Sequence, residues 1–428
     1  MTRAPLRGAI ERLVDARPHE VRGLLLAFAF FLALLAGYSI LKPIRDEMAV
    51  VAGVRQLHWL FTATFVATLI AVPAFAAVAS RFPRQRFVPW LYRLCGLSLL
   101  VFFALLLGGA APVHVARAFF VWVSVFNLFI TSVFWAFLAD VFTPAQGKRL
   151  FGFVAAGGTI GAMAGPLLAA TLAPVIGPAW LLPLSALLFE GAARAAGRLA
   201  RWSRDAGTPH ERAKGEKVLG GSAFAGFSEV ARSPYLLGIA GQTLLFAITS
   251  TVLYAQYLGL VEGAIADGAR RTALFGYVEF GTNLLALGLQ LTVSGRLLAR
   301  FGIGFGLALQ PVLTIAGFLA LGVAPFLGPA VGLYGARRSA HYAIERPARE
   351  TLFTTVDRAS KYKAKSFIDT VVYRGGDAVS GWLNSGFLAL GLGAGGAALA
   401  ALPFACAGLL LALLLARRHL RATEEVVP

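Results

Sequence analysis

Apolar runs recur along this chain, and each approaches the roughly 20 residues that an α-helix needs to cross a bilayer. Twelve can be read, near 23–41, 57–79, 88–110, 115–139, 151–173, 179–200, 235–258, 272–293, 302–324, 330–346, 366–389 and 397–416. In hydrocarbon every backbone polar group must find a partner within the structure, so only helices or closed barrels can span. Runs of this length point to an all-α polytopic membrane protein with twelve transmembrane helices. Of 428 residues, 58% are hydrophobic and only 14% are charged, which argues against an ordinary soluble domain. The two cysteines, Cys95 and Cys406, fall in separate spans, and their spacing suggests neither a disulfide nor a metal site. No cofactor is expected. The first span has no small-residue cleavage site after it and reads as a retained helix rather than a signal peptide.

A formal net charge of +18 would suggest a nucleic-acid partner in a soluble protein. Here the position of the charge decides otherwise. Most of the 39 Lys and Arg lie in the N-terminal segment, in loops after even-numbered spans and in the C-terminal tail, whereas the loops after odd-numbered spans hold five. The positive-inside rule then puts both termini in the cytoplasm, with the protein in the cell inner membrane. The basic excess sets orientation and meets anionic lipid, and no nucleic-acid partner is expected. The resulting plan is a cytoplasmic segment 1–22, a six-helix half 23–200, a cytoplasmic linker 201–234, a second half 235–416 and a tail 417–428. The linker is too polar and Gly-rich to pack a core, although 222–232 suits an interfacial helix.

The halves carry weak internal repeats. Asp140 to Leu167 aligns with Thr355 to Trp382 at a constant offset of 215, which pairs Lys148 with Lys363 and Gly161 with Gly376. Ala79-Ser80-Arg81-Phe82-Pro83 similarly echoes Leu298-Ala299-Arg300-Phe301-Gly302. Two six-helix halves in parallel repeat resemble the major facilitator fold, which implies a substrate site near the bilayer midplane between the halves. The run Gly152, Gly161, Gly165-Pro166 resembles the fifth-span signature of antiporters in that superfamily, with Ala169-Ala170 where further glycines are usual. On physical grounds alone, the Gly157, Gly161 and Gly165 stripe lets helices approach closely. Gly295-Arg296-Leu297-Leu298-Ala299-Arg300-Phe301-Gly302 keeps the shape of the superfamily's loop pattern, with Ala299 at its acidic position.

Charges within the spans are the candidate functional groups, because burying them in hydrocarbon is costly. The first span runs into Lys42-Pro43-Ile44-Arg45-Asp46-Glu47, where the proline is expected to bend or end the helix. Glu279 and Asn283 stand four apart in span eight, and Glu279 has no basic residue in its own span. Span ten holds Arg337, Arg338, His341 and Glu345. Span eleven holds Asp369, Tyr373, Arg374 and Asp377. Spacings of four place Arg337, His341 and Glu345 on one helical face, and Asp369, Tyr373 and Asp377 on another. The structural reading is mutual pairing between helices. The functional reading takes Lys42, Arg45, Glu279, Asn283, Arg374 and Asp377 as substrate-binding. Asp46, Arg337, Arg338, His341, Glu345 and Asp369 then serve coupling or gating. Arg93 and the pair Glu190 and Arg194 lie near span ends, where snorkelling accounts for them. No phosphate-binding loop or nucleophile elbow is present, so the chain reads neither as an ATP-driven pump nor as an enzyme.

Several of these stretches together resemble the nucleotide (ATP/ADP) translocases of plastids and intracellular bacteria. They are Leu41-Lys42-Pro43-Ile44-Arg45-Asp46, Phe134-Trp135-Ala136-Phe137-Leu138-Ala139-Asp140, Gln146-Gly147-Lys148-Arg149-Leu150-Phe151-Gly152, and Tyr362-Lys363-Ala364-Lys365-Ser366-Phe367-Ile368-Asp369 with Arg374 and Gly376. The resemblance implies a nucleotide exchanger whose basic residues meet phosphates, with Lys42 and Glu279 as counterparts of a translocase lysine and glutamate. Two departures matter. Asp377 stands where the family has lysine, and Val123-Ser124-Val125 lacks an acid the family carries. A lysine lost and an aspartate gained disfavour a triphosphate. The expectation is therefore a divergent secondary transporter or exchanger of a smaller, anionic solute, working as a monomer in the bilayer. A proton-coupled carrier of an unrelated metabolite or drug and a non-transporting assembly or sensor subunit are the alternatives.

Overall fold

The computed structural model describes residues 16–79, 81–109, 111–205 and 226–424. Among the described residues all regular structure is helical. Twelve long runs follow in order: α1 (Val21–Val51), α2 (Leu57–Ala79), α3 (Arg84–Leu107), α4 (Pro112–Val141), α5 (Pro144–Ile176), α6 (Leu181–Asp205), α7 (Pro234–Ala264), α8 (268–301), α9 (302–323), α10 (327–352), α11 (358–389) and α12 (394–424). Eight stretches are long and apolar enough to cross a membrane, and one of them, Gly268–Val323, holds both α8 and α9. The runs α6, α10 and α11 are more polar, and the expected twelve crossings are consistent with this set.

Local chemistry fixes several ends. Thr143 opens α5 with a capping box: its side chain accepts from the Gln146 amide, and the Gln146 side chain accepts from the Thr143 amide at 2.9 Å. Pro144 follows at the first helical position, where its missing N–H costs nothing. Gly302, at φ 75° and ψ −179°, breaks the run between α8 and α9; only glycine adopts that backbone readily. Of the two outcomes expected at Pro43, a bend or an end, the structure rules out the end. The helix runs on to Val51, so Lys42, Arg45, Asp46 and Glu47 all project from one continuous helix. Neighbouring helices packed around a proline can compensate for its lost hydrogen bond. A six-residue helix, Phe227–Arg232, occupies the described part of the expected interfacial segment; residues 206–225 lie outside the described set.

The chain packs as two compact units. The first comprises 1–47, 74–219 and 268–280; the second comprises 48–73, 220–267 and 281–428. The start of α8 therefore belongs with the first unit, and most of α2 with the second.

In the first unit the glycine stripe of α5 lies on α1. A Cβ at Gly157 would sit 2.7 Å from the Phe28 carbonyl oxygen, and one at Gly165 would sit 2.8 Å from Ser39 Cβ. At Gly161 it would strike the Leu32 carbonyl oxygen and come within 2.9 Å of the Ala36 nitrogen. Gly152 meets nothing within 4 Å, so the first glycine of the signature is not a packing position. Gly276 of α8 seats against the Pro166 carbonyl in the same way, at 2.7 Å. Phe30 is enclosed by Tyr92, Phe134 and Phe137.

In the second unit α11 packs on α7. Gly376 lies under Ala247, where an added Cβ would be 2.7 Å from the alanine Cβ. The 215-residue offset thus carries a packing relation as well as a sequence echo. Gly161 seats α5 on α1, and Gly376 seats α11 on α7.

Candidate functional site

In the first unit two ion pairs join α1 to the start of α8. Lys42 Nζ lies 2.7 Å from Glu279 Oε1. The Glu279 side chain is 6% exposed and that of Lys42 24%. A carboxylate so enclosed needs an opposite charge, and Lys42 supplies it from another helix. The ammonium also stands 5.7 Å from the centre of the Tyr38 ring. Further along α1, Glu47 accepts two bonds from Arg271, at 2.8 and 2.6 Å. This fork matches the guanidinium to both carboxylate oxygens. Gly268 makes room for it, because a Cβ there would lie 2.7 Å from Glu47 Oε1. Arg45 turns to its neighbour Asp46 at 2.8 Å and lies over the Phe120 ring.

In the second unit Asp377 accepts from Thr251 at 2.9 Å and faces Arg374 at 3.4 Å. Gln256 of α7 donates to Asn384 of α11 at 2.8 Å, continuing the polar seam between those helices. Arg337 is buried in a nest of neutral oxygens: it donates to Thr314 at 2.8 Å, Ser250 at 2.7 Å and Thr249 at 2.9 Å. Turning the Gln310 amide oxygen toward the guanidinium adds an acceptor at 2.8 Å from Arg337 Nε. Phe246 covers the guanidinium face. Arg338 points the other way, over the Tyr334 and Tyr342 rings. Asn283 is half-buried in α8, one helical turn beyond Glu279.

Two of the expected helical faces are altered by π turns, which hold an extra residue. One spans His341–Glu345 and another Ile368–Val372. His341 and Glu345 still meet, at 2.7 Å. Arg337 does not join them by a hydrogen bond, because its donors go to α7 and α9. Asp369 faces Arg349 at 3.9 Å, while Asp377 lies with Arg374 and Thr251. Sequence reasoning did not single out Arg271 or Arg349. Arg271 could have been found among the five basic residues after odd-numbered spans, and Arg349 by its position four residues beyond Glu345. Arg93 and Arg194 both reach Glu190, at 3.0 and 2.8 Å, near helix ends.

A sequence profile described as Major Facilitator Superfamily matches residues 22–339. The chain belongs to the major facilitator superfamily. Solved superfamily-type transporters share its fold. A bacterial homologue of the iron transporter ferroportin, inward-facing, is 14% identical, covers 94% of this chain and 98% of its own, and superposes with a TM-score of 0.64. The nucleoside transporter NupG is 13% identical, with 92% and 98% coverage and a TM-score of 0.62. Iron and nucleosides are unlike cargoes, so this likeness fixes the fold and leaves the solute open. Among curated proteins, the ADP,ATP carrier protein 1 of Chlamydia muridarum (strain MoPn / Nigg) is 22% identical over 182 residues. That stretch covers 38% of this chain and 34% of the carrier, about a third of its length. Family and fold together make this a multi-pass membrane transporter of a small solute.

Proposed function

We propose that this protein is a non-enzymatic secondary transporter or exchanger of a small anionic solute, working by alternating access as a monomer. The Lys42–Glu279 pair carries the reading. A lysine within a transporter helix is expensive to leave uncompensated, and Glu279 pairs with its ammonium. An anionic solute competes with Glu279 for that ammonium and replaces one counter-charge by another. Arg45 joins Lys42 and Glu279 in the first unit, and Asn283, Arg374 and Asp377 are the proposed substrate-binding residues of the second. Asp377 offsets Arg374, and Glu47 offsets Arg271, so little uncompensated positive charge remains for a triphosphate. The balance suits a mono- or dianion. Partial likeness to the ADP,ATP carrier supports an anionic, phosphate-bearing solute without extending that carrier's substrates to this chain. Residence in the cell inner membrane with both termini cytoplasmic follows from the basic loops.

Uptake into proteoliposomes tests the reading, with ADP, a sugar phosphate and inorganic phosphate as probes. The double variant Lys42→Gln/Glu279→Gln removes both charges and leaves no orphaned carboxylate. It should lose saturable anion uptake while keeping the parent's elution profile. Undiminished uptake in that variant would remove Lys42 from the binding set.

A further inference from the structure

We propose that the outer face shared by α3 and α6 holds the headgroup of an anionic phospholipid, with Arg93 and Arg194 on its phosphate. The site needs no particular solute. It takes from the reading above only the orientation that puts this end of both helices in the cytoplasmic leaflet.

The two helices pack side by side and antiparallel. Arg93 of α3 reaches Glu190 of α6, while a Cβ at Gly96 would lie 3.4 Å from the Ala186 carbonyl oxygen. Tyr92, Cys95 and Leu99 turn inward from α3, as do Phe189, Ala192 and Ala196 from α6. The opposite face of the pair is exposed, and within a bilayer an exposed helix face meets lipid. Arg93 stands nine residues inside α3, about 13 Å along the axis from Arg84.

Three charges meet on that face. Arg93 Nε and Nη2 donate to Glu190 at 3.0 and 3.4 Å, and Arg194 Nε donates to it at 2.8 Å. Two guanidiniums thus share one carboxylate, and one positive charge is left over. The Arg194 side chain is 64% exposed, and among the described residues its terminal amino groups donate to nothing. Arg198 follows one turn later and Arg201 one turn after that, both exposed on the same side of α6. Snorkelling carries such side chains toward water, but it leaves this surplus charge uncompensated at the edge of hydrocarbon.

The surroundings fit a lipid from head to tail. Trp90, 68% exposed, lies beside Arg93, with the guanidinium 5.7 Å from the ring centre. Tryptophan is enriched at headgroup level. Beyond the charges, away from the basic end, Leu94 and Leu97 of α3 and Leu187 of α6 are exposed. The face is therefore basic where a headgroup sits and apolar where acyl chains run. A phosphodiester carries one negative charge, which cancels the surplus of the trio, and its oxygens match the guanidinium fork. Basic pockets between helices on the cytoplasmic side bind anionic headgroups in this way. A second copy of this chain would instead set guanidinium against guanidinium.

Native mass spectrometry of the purified full-length protein tests the site, with phosphatidylglycerol and phosphatidylcholine of matched chains as competing probes. The parent should retain phosphatidylglycerol preferentially. Arg198→Gln, at an exposed position, should lower that preference roughly fivefold. The triple variant Arg93→Gln/Glu190→Gln/Arg194→Gln removes the three charges together and should lower it at least as far. Glu190→Gln alone should raise it, because the carboxylate competes with the phosphate for both guanidiniums; a purely structural trio predicts no change. Equal retention of the two lipids by the parent would overturn the site. So would a preference that survives the triple variant, which would assign the lipid to the basic loops. Protein dimers that vanish in the triple variant would make this face a contact between copies and overturn it equally. If the triple variant fails to elute as a single species, the two single variants decide, and no change in either overturns the site.

Discussion

Replacing Gly161 by alanine adds one methyl group where two helix backbones meet. The new Cβ would strike the Leu32 carbonyl oxygen and sit 2.9 Å from the Ala36 nitrogen, both on the α1 backbone. Backbone atoms of a packed helix cannot rotate aside as a side-chain tip can, so α5 must move off α1. Overpacking of this kind costs about 1–3 kcal/mol. Alanine also gains roughly 1 kcal/mol of helix propensity over glycine, which would mask part of the loss. Gly152→Ala supplies the correction. It lies in the same helix, its Cβ meets nothing within 4 Å, and it carries the same propensity gain. Gly161→Ala should therefore be about 1–3 kcal/mol less stable than Gly152→Ala, the propensity term cancelling. Gly376→Ala should fall between them, because its Cβ comes nearest the Ala247 and Leu244 side chains, at 2.7 and 3.2 Å, and reaches backbone only at 3.7 Å. Detergent–denaturant unfolding of the three purified variants measures the order. Equal stability of Gly161→Ala and Gly152→Ala would refute the close-packing argument.

Lys42→Met should destabilise more than Glu279→Met, because it leaves the better-buried partner unpaired; breaking a buried pair costs up to about 3–5 kcal/mol. A double-mutant cycle checks the coupling, and strictly additive losses would separate the two residues energetically. Cysteines placed at Gly109 or Gly328 should react with an impermeant thiol reagent in intact cells, and one at Thr354 should not; the reverse pattern would invert the topology. Glu20 accepts from the Arg17 amide, Gln146 and Arg149. Burial raises its pKa, but those bonds and the Arg149 charge outweigh it and hold the carboxyl below the usual glutamate range. A depressed folded value means that its stabilisation is full above the unfolded pKa, near 4.3, and is lost as pH falls through the folded value. The thermal-stability gap between the parent and Glu20→Gln should be widest near neutral pH and close in acid; a gap independent of pH would exclude the ionised carboxylate as its cause.

The parts of the fold that depend on composition were readable. Apolar runs located the helices but not their polar ends: α1 runs ten residues past the expected 41 to Val51, and α12 runs to Glu424 rather than 416. The repeat that aligns Gly161 with Gly376 coincides with two helix contacts of the same kind. The charged residues were readable as a set, and their partners were not. Lys42 and Glu279 are 237 residues apart, and nothing local to either one specifies the other. Gly268 makes the point more sharply. It looks like an ordinary turn glycine, yet it clears the space in which Glu47 receives Arg271.

The partners taken by residues of one face were not legible either. Spacings of four group Asp369, Tyr373 and Asp377 on a helix of constant pitch, and the Ile368–Val372 turn changes that pitch locally. Neighbouring helices then decide the pairing: Asp369 faces Arg349, and Asp377 lies with Thr251 and Arg374. In α10 a similar turn sits between Arg337 and Arg349, and it separates a guanidinium held by neutral hydroxyls from one held among carboxylates. The same sequence spacing therefore yields two chemically distinct groups. Arg337, with neutral acceptors on two neighbouring helices, is suited to hold α7, α9 and α10 together. Arg349, between Glu345 and Asp369, joins α10 to α11 through carboxylates instead.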